Sequence, residues 1–137
     1  MVTLIGMGSG SWEALSVQAQ DAVRRAGLVF GAKRLLAGLP PECTARQFAL
    51  YQPAEILETL AQAPGQDAAV LYSGDTGFYS GASGLLTPLR ALGIPARVYP
   101  GVSSIQLLAA ALGRPWQDWK LVSAHGCACD PVAQCMT

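Results

Sequence analysis

A short apolar run that stops at glycine and is followed by residues at helical spacing recurs along this chain, and that recurrence constrains the fold more than any single residue. VTLI (2–5) meets the glycine loop GMGSGS, after which Leu15, Val17, Ala19, Ala22, Val23 and Ala26 keep a helical period. Gly27 reads as a C-cap of that helix, and LVF (28–30) as a second strand. A short helix over 32–37 is stopped by Gly38 and the Pro40-Pro41 pair, and a weaker strand is expected over 46–50. Pro53 suits the first turn of a helix over 54–63, closed by Pro64-Gly65.

AAVLY (68–72) is the clearest buried strand, and it runs into LYSGDTGFYSG (71–81). Residues 79–92 can form a helix kinked or broken at Pro88, 96–99 another strand, and 105–112 an apolar helix with Ser103 or Ser104 as candidate N-cap. The alternation predicts an α/β fold: a mainly parallel sheet flanked by helices, with ligands outside the carboxyl ends of its strands. Segments 6–11, 73–77 and 100–104 all leave such ends, so all three can converge on one crevice. Residues 1–116 read as one α/β domain, a hinge falls near Pro115, and 117–137 read as a linker and the first strand (LVSA, 121–124) of a truncated second domain.

Charge excludes one class of partner. Nine basic and nine acidic residues are scattered over 137 positions with no Lys/Arg run, so no nucleic-acid clamp is expected. The N-terminus has no basic leader region, and its apolar run is far shorter than the ~20 residues that span a bilayer, so the expected location is the cytoplasm, away from any membrane. Three of the four cysteines fall in the last eleven residues, which is not a secreted disulfide framework, and reduced thiols are expected. His125, Cys127, Cys129 and Cys135 lack the C-x2-C pair typical of zinc sites, so no metal is expected.

The glycine loop invites a dinucleotide reading, but Gly6, Gly8 and Gly10 form G-x-G-x-G rather than G-x-G-x-x-G. The second strand also leads to Lys33 and Arg34, with no acid placed for a ribose. No Walker loop is present, and no nucleophile elbow has an evident histidine partner. Three loops rich in Gly, Ser and Asp, with little positive charge, suit a nucleoside without phosphates, of which S-adenosylmethionine is one; glycine lets backbone approach it closely. Asp75 could equally be a turn aspartate, and Ser103 and Ser104 could simply cap a helix.

Four blocks in order, VTLIGMGSGSWEALSVQAQDAVRRAGLVFG, LYSGDTGFYSG, YPGVSSIQLLAAALGRPWQD and VSAHG, resemble the tetrapyrrole methylases. The last two blocks resemble in particular the cobalt-corrin branch that acts on precorrin-6Y. The resemblance implies a two-domain enzyme that transfers methyl groups from S-adenosyl-L-methionine to meso carbons of a precorrin and leaves S-adenosyl-L-homocysteine. It implies cofactor binding by Ser9, Gly74, Asp75, Thr76, Gly77, Phe78, Ser103 and Ser104. Members are commonly homodimers, and in the aerobic pathway this region can be fused to a second methyltransferase and decarboxylase. A polycarboxylate substrate would call for cations, for which Lys33, Arg34 and Arg46 are candidates. The chain departs from the family's usual pattern at Thr76, where proline is common, and at Ser9 and Ser11, where proline and then aspartate are; these changes are expected to loosen the loops. Rival readings are a related methylase acting on another corrin intermediate or a macromolecule, and a non-catalytic ligand-binding module.

Overall fold

A computed structural model describes residues 1–77 and 80–122. Five strands, β1 (Val2–Gly6), β2 (Leu28–Phe30), β3 (Arg46–Phe48), β4 (Ala68–Tyr72) and β5 (Ala96–Tyr99), form one sheet in the order β3-β2-β4-β1-β5, with every pairing parallel. This is the parallel α/β architecture expected from the alternation of runs. β1 and β2 are buried on both faces, as central parallel strands require, and their near-continuous apolar sequences follow from that.

Helices cover the two faces in separate sets. On one face α1 (Val17–Arg25) and α2 (Lys33–Leu36) bring Ala19, Val23, Leu35 and Leu36 onto Ile5, Val29, Ala69 and Leu71. On the other, α3 (Pro53–Ala61) and α4 (Ala82–Ala91) bring Ile56, Leu85 and Leu89 onto Val2, Leu4, Leu28, Phe30 and Val70. Side chains alternate strictly between these clusters, so a one-residue slip of any central strand would exchange its whole apolar set. Each fully buried large side chain contributes about 1.5–3 kcal/mol, far more than any local propensity in these short elements.

Several boundaries differ from the sequence reading. The helix expected from Leu15 begins at Val17, because Trp12–Ala14 form a separate 3-10 turn and Ser16 caps α1, its Oγ accepting the Ala19 amide at 3.2 Å. Ser16→Ala should therefore cost about 1 kcal/mol in urea denaturation; a loss below a few tenths would show that this cap is dispensable. Gly27 is no left-handed cap. Ala26 closes α1 in an extended conformation, while the Gly27 amide bonds to the Asp67 carbonyl at 2.8 Å and its α-carbon faces the Gln66 side chain. Pro88 does not break α4, which runs on to Ala91.

The backbone divides into two compact units, Met1–Ser104 and the residues from Ile105 on. α5 (Ser104–Leu112) starts at that division. Leu121 and Val122 are not in a strand, and the remainder of the LVSA segment lies outside the described residues, as do the His125 and cysteine cluster. Among the described residues no helix is long and apolar enough to cross a membrane.

Candidate functional site

Topology decides where a crevice opens. β1 lies between β4 and β5, so the loops leaving these three strands emerge side by side. The helix after β1 packs on one face of the sheet and the helix after β4 on the other, which makes the β1/β4 boundary a switch point of the kind that accepts ligands.

Backbone contact between glycines joins the three loops there. Gly8 and Gly74 exchange a pair of main-chain hydrogen bonds, Gly8 N to Gly74 O at 3.1 Å and Gly74 N to Gly8 O at 2.9 Å. Both have left-handed φ, +59° and +67°, which residues bearing a Cβ rarely adopt. Gly6 and Gly101 touch across the β1–β5 side. A Cβ placed on Gly6 would stand 2.7 Å from both Gly101 N and Gly74 O, and one on Gly101 would stand 2.5 Å from Gly6 O and closer still to Gly74 O.

Side chains then brace the rim. Asp75 Oδ2 accepts the Gly77 amide at 3.1 Å, a local turn bond, and Oδ1 accepts the Gly101 amide at 3.1 Å from the neighbouring loop. Its turn role is therefore real, and so is a second role reaching to the loop after β5. Thr76 Oγ1 donates to the Tyr99 carbonyl at 3.2 Å, and Thr76 is buried. At this position the departure from proline ties the loops together, contrary to the loosening expected, because a threonine hydroxyl can donate where a proline ring cannot. Ser103 is buried and Ser104 exposed at the start of α5. Ser9 is exposed in the turn closed by the Gly10 amide on the Met7 carbonyl, and nearby the Ser11 hydroxyl donates to Glu13 at 2.7 Å. That hydroxyl, with a main-chain bond, holds the Glu13 carboxyl below its usual value.

The structure thus gathers Gly74, Asp75, Thr76, Gly77 and Ser103 at one rim with Ser9 on its first loop, while Phe78 lies outside the described residues. The three cations fare differently. Arg34 lies along the first glycine loop, its Nη1 3.6 Å from where a Cβ on Gly10 would sit, and Lys33 is exposed beside it in α2. Arg46 starts the edge strand β3, two strands from β4, with its guanidinium 5.2 Å from the Phe48 ring centroid; it is not brought to the rim. Gly101 was absent from the residues expected to matter, although a glycine two positions beyond a strand end was the available signal.

Tyr72, where β4 enters its loop, carries a buried hydroxyl with no hydrogen-bond partner among the described residues, and burial pushes its phenol up to about 12. It stays neutral at ordinary pH and cannot serve as a base. The rim segments 6–11, 72–77 and 99–104 contain no Lys or Arg, and Asp75 has no ion pair among the described residues. A carboxylate held by two amides and left without a cation favours a ligand that is itself cationic.

Comparison with known proteins agrees with this architecture. The chain is 34% identical over 128 residues to a cobalt-precorrin-7 C(5)-methyltransferase of Salmonella typhimurium, covering 92% of this chain and 62% of the relative. It is 32% identical over 133 residues to a precorrin-6Y C(5,15)-methyltransferase (decarboxylating) of Sinorhizobium sp, covering 96% of this chain and 32% of that protein. Among solved structures, uroporphyrin-III C-methyl transferase from Thermus thermophilus complexed with S-adenosylhomocysteine superposes with a TM-score of 0.65 at 27% identity, covering 91% of this chain and 52% of that one. The chain therefore spans less than two thirds of the length of these relatives. Residues 1–134 match the family of Tetrapyrrole (Corrin/Porphyrin) Methylases, and with this sheet order and these strand-end loops the chain belongs to that family.

Proposed function

We propose that this protein is an S-adenosylmethionine-dependent C-methyltransferase of corrin biosynthesis that acts on a precorrin, with precorrin-6Y as substrate. The observation that carries the cofactor assignment is the Asp75 carboxylate, fixed by the Gly77 and Gly101 amides among loop segments that themselves carry no Lys or Arg, the nearest cation, Arg34, lying at the first loop beside Gly10. A phosphate-bearing nucleotide would want the opposite charge. The α-carbons of Gly8 and Gly74 leave room for close approach of a nucleoside, because a Cβ at either would meet protein atoms only at 3.5 Å or beyond. The two named relatives carry C(5) in common, which supports C(5) as the carbon methylated.

When bound, S-adenosylmethionine supplies an electrophilic methyl on a cationic sulfur and departs as S-adenosylhomocysteine. The chain's part is placement, and positioning of two reactants can supply ~7–11 kcal/mol of a barrier. Asp75 and Thr76 hold the loops after β4 and β5 in register, Ser9, Ser103 and Ser104 lie along that rim, and Asp75 sets a negative field favouring the sulfonium. An electron-rich meso carbon needs no general base, so none is assigned. Arg34, with Lys33 beside it, is placed to take a substrate carboxylate from the first loop.

Calorimetric titration tests this reading. Saturable heat with S-adenosylhomocysteine and none with NAD is expected, and heat with NAD alone would overturn it. In turnover assays with precorrin-6Y, Arg34→Gln should raise KM about tenfold while leaving cofactor Kd unchanged, as befits loss of one charge-assisted bond.

A further inference from the structure

Away from the rim, on the α1 face of the sheet, a cavity of about 320 Å³ lies between the end of α1 and the edge strand β5. We infer that this cavity is an oxyanion-binding site, built for a carboxylate or phosphate group by Arg25, Arg97, Tyr99 and Thr3. It is independent of the methyltransferase reading, because none of these side chains contributes to the rim.

Register explains the convergence. Thr3 pairs with Arg97 and Ile5 with Tyr99 across β1 and β5, so Thr3, Arg97 and Tyr99 all project to the same face. Arg25, the last residue of α1, reaches the same space from above. Arg97 Nη1 donates to the Tyr99 hydroxyl at 3.2 Å, which uses that oxygen as an acceptor and leaves the phenolic O–H free to donate. Neither Arg25 nor Arg97 has a carboxylate partner among the described residues. The carboxylate in the cavity wall, Asp67, is already engaged by the amino group of Met1 at 3.4 Å.

Donors therefore outnumber available acceptors: two guanidinium forks, a phenol and a threonine hydroxyl surround a space with one committed carboxylate. The carbonyl end of α1 opposes an anion with roughly half an elementary charge, which two full guanidinium charges outweigh. Guanidinium forks match planar carboxylates and phosphates through paired hydrogen bonds, whereas an isolated surface arginine offers only one fork in water.

The test is calorimetric titration of the chain at low ionic strength with inorganic phosphate and, separately, with citrate as a carboxylate probe. One-site saturable binding is expected for at least one of them. Phosphate alone would assign a phosphate site and citrate alone a carboxylate site. Arg97→Gln and Arg25→Gln should each weaken that binding about tenfold or more, Arg97→Lys should restore only part of it, and Arg90→Gln on α4 should leave it unchanged. Melting curves of each variant establish that it is folded. No saturable binding of either probe, or an equal loss with Arg90→Gln, would overturn the site.

Discussion

Gly101→Ala should lower the melting temperature by about 10 °C or more, since overpacking against atoms that cannot move sits at or above the upper end of the usual 1–3 kcal/mol. The added methyl would meet Gly6 O at 2.5 Å, Gly6 C at 2.6 Å and, closest of all, Gly74 O. All three are backbone atoms, those of Gly6 at the end of β1 and that of Gly74 in the loop bridged to Gly8, so no side-chain rotation relieves the clash. The chain's other escape is to push the loop after β5 away, which would separate Asp75 from the Gly101 amide and open the rim. Thermal denaturation read beside S-adenosylhomocysteine affinity distinguishes these routes. A variant unchanged in both would mean that the three loops do not meet as described.

The second large effect is expected at Asp75. Asp75→Asn keeps the shape but turns one of two acceptor oxygens into an NH₂, which must then face the Gly77 or the Gly101 amide. Losing a charge-assisted bond to main chain costs about 1.5–3 kcal/mol, and the facing donors add to it. Urea denaturation should register that loss. Affinity should fall as well, and more for S-adenosylmethionine than for S-adenosylhomocysteine, because only the former carries the sulfonium charge that a carboxylate attracts. Equal losses for both ligands would reduce Asp75 to a brace between loops and withdraw its electrostatic role.

Much of this is legible in the sequence. All strands but β3 end at or within two residues of a glycine or proline, and the runs are nearly continuously apolar where both faces are buried, as in β1 and β2. Segments 6–11, 73–77 and 100–104 were assignable to strand ends because a parallel sheet puts every such loop on one edge. Less legible is the start of α1, where apolar period alone points to Leu15 and the Ser16 hydroxyl, on the residue just before the helix, decides otherwise. The role of Thr76 is illegible for a related reason: departure from a family proline says nothing about the partner, here the Tyr99 carbonyl 23 residues away, that a hydroxyl at that position finds.

Sequence by itself determined the layer order of the fold, the glycines at the strand ends and the absence of basic residues from the loops, since all three are written in local composition and period. Only tertiary structure decided that Gly6, Gly74 and Gly101 touch, that the two oxygens of Asp75 serve different loops, and that Arg34 reaches the first loop while Arg46 does not. The physical reason is strand order. Placing β1 between β4 and β5 makes neighbours of residues 66 and 94 positions apart, as Val2 with Ala68 and with Ala96, and contacts between such distant residues are carried by no local pattern.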